Sequence, residues 1–168
     1  MKSEVFAKPA VGAIIEKDIN GVKHILMQKR QKNNLENGMI EIPAGKIRDF
    51  ESIFDALRRE VLEETGLKIT RILGEDCQNI KTGVYSTIDF SPFCVTQNLS
   101  GGYSLILLTF ICQGEGDLYE KSDESYNIHW IEVNKMELLL NTHPEKFFPM
   151  HINSLKKYLR KINQKNNI

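Results

Sequence analysis

The run YSLILLTFIC, residues 103–112, is apolar at nearly every position. A strand with one wet face alternates polar and apolar side chains, whereas a continuous run suits a central strand covered on both faces. A chain holding such a strand needs a layer of structure on each side of its sheet. Residues 52–65 have helical periodicity, with Gly66 placed as a C-cap. A second amphipathic helix follows from Ile152, Leu155, Tyr158, Leu159 and Ile162, which share a face opposite Lys156, Lys157 and Arg160.

The remaining strands are legible from local signals. AVGAIIEKDINGVKHILMQKR, residues 10–30, reads as two strands around Asn20-Gly21, a dipeptide suited to the positive φ angles of a tight hairpin. GMIEIPAG (38–45) is a short strand ended by Pro43 and Gly45, and LKITRIL (67–73) and NIHWIEV (127–133) are further strands. STIDFSPFCVTQNLSGG (86–102) carries Ser, Pro and Gly punctuation and reads as a long irregular loop. No repeat, linker or low-complexity tract divides the chain. The expectation is one α/β domain spanning residues 1–168, a mixed β-sheet between helices, with residues 161–168 as a frayed tail.

Twenty-two basic and twenty-two acidic side chains cancel, so net charge recruits the chain neither to nucleic acid nor to an anionic membrane. The N-terminal apolar run stops at Glu16, too short for a signal-peptide core or a spanning helix. Cys77, Cys94 and Cys112 are odd in number and form no C-x-x-C pair, which suits reduced, buried thiols in a cytoplasmic protein.

REVLEETG, residues 59–66, crowds Glu60, Glu63 and Glu64 into one stretch of helix, where like charges three and four apart repel. With Glu60 at zero on a wheel of about 100° per residue, Glu63 falls near −60° and Glu64 near +40°. Phe54, Leu57, Val61 and Thr65 occupy the adjoining arc, so the carboxylates border the apolar stripe at the rim of the core, facing a cleft. A glutamate-rich face is ordinarily solvated surface, braced here by Asp55 with Arg59 and Arg59 with Glu63 at four-residue spacing. A hard divalent cation with oxygen ligands also resolves the crowding, and magnesium keeps waters that substrate phosphate can replace.

The turn belongs to a longer pattern. Gly45 is followed after five residues by Glu51, and after seven more by Arg59-Glu60-Val61-x-Glu63-Glu64-x-Gly66-Leu67. This resembles the Nudix box, G-x5-E-x7-R-E-U-x-E-E-x-G-U with U a bulky aliphatic, at every specified position. At roughly 6% per fixed position, a random match is on the order of one in 10⁸. The resemblance implies an α/β/α sandwich that hydrolyses a nucleoside diphosphate linked to another moiety, using Mg2+ or Mn2+. It implies that Glu60, Glu63 and Glu64 are metal ligands, with the Gly45 carbonyl as another. Arg59 would hold one glutamate of the cluster, and Glu51 would act as an auxiliary ligand or an acceptor behind the ligands. The general base comes from the box in some relatives and from a downstream loop in others. Here EGDLYEKSDES (115–125) offers Glu124, which also reads as loop surface charge.

His24, His129, His143 and His151 are scattered and read as surface or core residues. Tyr85, Phe93, Tyr103 and Trp130 could stack on a base or pack in the core. EIPAGKI (41–47) and the downstream Ser91-Pro92 pair look like the ADP-ribose and nucleotide-sugar group of the family, although Pro92 stands twenty-five residues beyond Leu67, farther than is usual there. The leading expectation is therefore a pyrophosphatase for ADP-ribose or a nucleotide sugar. A nucleoside triphosphate pyrophosphatase clearing oxidised nucleotides, and a non-catalytic nucleotide-binding module, are the alternatives. The expected partner is a small-molecule nucleotide, with no nucleic acid and no membrane. The resemblance leans toward a homodimer, which no patch in the sequence requires.

Overall fold

Asn20 and Gly21 both take positive φ, 52° and 78°, and close a hairpin in which Ile19 faces Val22. That turn joins β1 (Lys8–Ile19) to β2 (Val22–Arg30). The computed structural model describes residues 4–76 and 79–165. After the hairpin come β3 (Ile40–Glu41), β4 (Ala44–Lys46), α1 (Ile53–Thr65) and β5 (Lys68–Ile72). These are followed by β6 (Asn79–Thr82), β7 (Tyr85–Ile88), β8 (Cys94–Gln97), β9 (Leu105–Glu115) and β10 (Ser125–Glu132). The chain closes with α2 (Val133–Thr142), a 3-10 turn (Pro144–Lys146) and α3 (Pro149–Lys165).

The main sheet runs β10-β2-β1-β9-β5, with β3 beside β2, β4 beside β1 and β8 beside β9. β1 and β9 are parallel from Lys8↔Leu105 to Glu16↔Gln113, while the other pairs are antiparallel, so the sheet is mixed. The apolar run at 103–112 does become the interior strand that its composition demands. On one face Phe110 and Cys112 pack with Val11, Ala13 and Ile15 against Leu57 and Val61 of α1. On the other, Ile14, Ile25, Met27 and Ile111 pack against Met136 of α2 and Leu155 and Tyr158 of α3. The result is an α/β/α sandwich. Cys112 is buried and Cys94 half-buried, and Cys77 lies outside the described residues.

Local chemistry fixes α1. The Ser52 Oγ accepts the Asp55 backbone N–H at 3.1 Å, and Gly66, at φ 83°, donates its N–H to the Leu62 carbonyl at 3.0 Å. Asp55 also accepts from the Ser52 hydroxyl at 2.7 Å, so it serves the cap where the sequence suggested a brace on Arg59.

Three expectations change. Residues 86–102 are not one irregular loop. β7 forms a separate ribbon with β6, and β8 pairs with β9 from Cys94↔Thr109 to Gln97↔Ile106. Only Thr96 of β8 is buried, so the strand lacks the apolar alternation that would reveal it. Val133 starts α2 instead of ending a strand; Val133, Met136 and Leu140 bury at helical spacing. Finally, α3 continues through Lys165, so residues 161–165 extend a helix where a frayed tail was expected.

Candidate functional site

The box helix delivers its acids to one end of the sheet, where a cavity of about 270 Å³ opens. Glu60 and Glu64 of α1 line it together with Ala44, Gly45 and Lys46 of β4. Tyr103, Leu105, Leu107 and Phe148 supply a less polar wall, and Arg30, Lys32, Glu41, Glu124 and His151 complete the surround. Glu63 and Glu51 do not line the cavity. Glu63 is half in solvent beside Arg59 (3.4 Å) and Arg48 (3.8 Å).

Glu64 is the most deeply held box acid, 5% exposed. Its Oε2 accepts the Ala44 N–H at 3.0 Å and the Gln28 side-chain amide at 2.8 Å. Burial and then the charge of Glu41 push its carboxyl up to about 8. Glu41 is itself buried and is pushed up to about 7 by burial, against the pull of Arg30, whose Nη1 donates to it at 2.5 Å. Burial likewise raises Glu60, with Arg59 opposing. Two acids whose charged forms burial disfavours, both bonded to Gln28, make a site that a cation would relieve.

The Glu60 carboxylate lies against Gly45 in the space a Cβ would take, so any larger residue there would displace that carboxylate. Arg59 is the clamp of the loop: its Nε and Nη2 donate to Glu51 at 2.6 and 2.8 Å, its Nη1 to Glu60 at 2.5 Å, and its Nη2 also to the Lys46 carbonyl at 3.1 Å. These bonds hold the Glu51 carboxyl down at about 2. Glu124, at the cavity mouth, is ion-paired with Lys32.

Among the described residues, no three His, Cys, Asp or Glu side chains are gathered so as to hold a metal ion as they stand. The donor set nevertheless fits a magnesium-like ion, which binds through one or two carboxylates and keeps waters for phosphate. Glu60 and Glu64 share the cavity with a backbone cleared of Cβ at Gly45.

Several residues escaped the sequence reading: Arg30, Lys32, Glu41 and Phe148, which line the cavity, and Gln28, which lies behind it and bonds Glu41 and Glu64. A signal was present in β2 and just beyond, where Gln28, Arg30 and Lys32 recur at period two after an apolar run. Among the four aromatics singled out, Tyr103 alone lines this cavity. Trp130 and Phe93 pack against the two cores, and Tyr85 is exposed in β7. His151 is a core histidine, as read, but one edge of the cavity rests on it. No helix among the described residues is long and apolar enough to cross a membrane.

The NUDIX domain family model matches residues 7–150. An ADP-ribose pyrophosphatase of Methanocaldococcus jannaschii is 31% identical over 146 residues, covering 84% of this chain and 73% of that protein. A NUDIX hydrolase structure from Nitrosomonas europaea superposes with a TM-score of 0.66 at 19% identity, over 96% of this chain and 74% of that one. The NUDIX domain of Shewanella oneidensis NrtR, solved with ADP ribose, gives 0.66 at 11% identity, over 96% and 92%. Likeness at those identities speaks for the fold, while the family model spans most of the chain and contains the complete box. The chain belongs to the Nudix hydrolase family.

Proposed function

We propose that this Nudix pyrophosphohydrolase splits the diphosphate linkage of ADP-ribose or a closely related nucleotide sugar, in a reaction that depends on Mg2+ or Mn2+ and yields a nucleoside monophosphate and a sugar phosphate. The observation that carries the reading is a single cavity lined both by box carboxylates and by Phe148, Tyr103, Leu105 and Leu107. Acids suit a cation holding the diphosphate, and the less polar wall suits a base or sugar ring. The named activity of the 31% identical relative supports the choice of substrate.

Glu60, Glu64 and the Gly45 carbonyl would hold the cation, with Glu63 contributing from the rim. Arg59 fixes Glu60, and Glu51 fixes Arg59. The bound ion supplies charge stabilisation for the phosphate oxygens and acidifies water. Water attacks phosphorus in line, the bridging P–O bond breaks, and Glu124 takes the proton of the attacking water. Lys32, the ion-pair partner of Glu124, and Lys46 present positive charge to the phosphates from the same cavity.

The experiment is a panel of nucleotide sugars, dinucleoside polyphosphates and nucleoside triphosphates assayed with Mg2+ and with Mn2+, with both products identified. Paired release of AMP and ribose 5-phosphate from ADP-ribose is expected. Pyrophosphate released from a triphosphate, with nucleotide sugars untouched, would replace this reading with a triphosphate-clearing one. Binding without turnover across the panel would make the chain a nucleotide-binding module.

A further inference from the structure

We propose that Gln28 is a positioning residue, whose side-chain amide holds Glu64 in the orientation that presents one of its oxygens to a divalent cation. The proposal rests on the reading of Glu64 as a metal ligand.

Gln28 has no solvent exposure. Its Nε2 lies 2.8 Å from Glu64 Oε2 and 3.3 Å from Glu41 Oε1, and a primary amide has two hydrogens, one for each. The β2–β3 register sets this up by placing Gln28 directly opposite Glu41. Glu64 Oε2 also accepts the Ala44 N–H, so two donors fix that oxygen, while among the described residues Oε1 accepts no hydrogen bond. One oxygen is thus tied to the scaffold and the other is free for a ligand.

The choice of amide is informative in two ways. A lysine or arginine at this position would neutralise Glu64 and compete with a cation for it, whereas an amide orients the carboxylate and leaves its charge available. The Gln28 Oε1, moreover, is buried and has no hydrogen-bond partner among the described residues. A buried carbonyl without a donor is destabilising; a leucine of similar size would avoid that cost but would also take the two N–H groups away from the buried Glu41 and Glu64. What the amide supplies at this position is its two N–H groups, one to Glu64 and one to Glu41.

The test uses Gln28→Leu and, as a second donorless side chain of similar length, Gln28→Met. Mn2+ is titrated calorimetrically into each protein without nucleotide, alongside thermal melts and steady-state kinetics. Both variants are expected to fold, to bind Mn2+ about 10–100-fold more weakly, and to lose kcat at saturating nucleotide while KM is unchanged. Parent-like Mn2+ affinity in either folded variant overturns the proposal. So does failure of both to fold, which would make the amide a core requirement. Glu64→Gln, titrated in parallel, separates the two claims. If it loses Mn2+ while the Gln28 variants keep it, the positioning role alone fails; if it also binds as the parent does, the metal reading fails with it.

Discussion

Both carboxylate oxygens of Glu51 accept from one guanidinium, Arg59 Nε at 2.6 Å and Nη2 at 2.8 Å. The same side chain reaches Glu60 and the Lys46 carbonyl, so one residue of α1 ties together the loop before the helix, β4 and an acid of the cavity. A lysine can provide the charge but not the fork. Arg59→Lys is therefore expected to lower kcat about 10–100-fold while the fold survives, as checked by kinetics at saturating metal and by circular dichroism. A near-parental kcat would remove Arg59 from any organising role.

Gly45 and Glu60 are matched in the same way. Since a Cβ at Gly45 would occupy the space of the Glu60 carboxylate, Gly45→Ala forces that carboxylate out of the cavity wall. Because the displaced group is the end of a flexible side chain, a small stability cost is expected, together with loss of most turnover. Because the conflict lies between two particular residues, Glu60→Ala in the same chain should restore stability but not activity. A double-mutant cycle by chemical denaturation measures this; additive costs would show that Gly45 is needed for some other reason.

Glu64→Gln removes a charge while leaving an oxygen that can still accept from Ala44 and Gln28. Burial already disfavours that charge, so the variant is expected to melt at or above the parent temperature. Activity, in contrast, should fall by about 100-fold or more, since a neutral amide is a poor ligand for a hard cation. Unaltered turnover would place the chemistry elsewhere.

The central strand, the first hairpin and the box helix were legible because each rests on a local signal: a continuous apolar run, Asn20-Gly21, and helical periodicity over 52–65 closed by Gly66. β8 was hidden because an edge strand with one buried residue carries almost no pattern. The box identified Glu60 and Glu64 through their spacing. Gln28, Glu41 and His151 meet them only through the β2–β3 pairing and the docking of α3, contacts whose sequence separations reach 36 residues for Gln28 with Glu64 and 109 for Ile42 with His151. Spacing along one helix reports its own face; it says nothing about which strand will lie opposite.

Glu124 stands at the cavity mouth with a largely exposed side chain and an ion pair to Lys32. Its exposure means that Glu124→Gln should leave the melting temperature unchanged. If Glu124 takes the proton from water, kcat should fall about 10²–10⁴-fold, with nucleotide KM little affected. A fall of less than about tenfold is below the usual contribution of a general base and would assign Glu124 to the surface.

His151 gives the fold a defined response to acid. It is buried, its Nδ1 accepts the Ile42 N–H at 3.2 Å, and burial together with the nearby Arg30 pushes its imidazole down to about 3 from 6.5. The folded chain keeps it neutral while the unfolded chain takes up a proton near pH 6.5. Its contribution to stability is therefore complete above that pH and is lost as pH falls from 6.5 toward 3. At pH 5 the loss amounts to about 2 kcal/mol. Glu41 and Glu64, pushed up to about 7 and 8, act in the opposite sense: protonation stabilises the folded chain as pH falls from about 8 toward 4.5. The raw profile sums both effects, so the informative measurement is a difference. His151→Gln retains an oxygen for the Ile42 N–H but has no proton to gain. Its stability gap from the parent, measured by urea denaturation, should shift in the variant's favour by about 2 kcal/mol between pH 7 and pH 5. A gap that does not move would mean that His151 is charged, or solvated, within the folded protein.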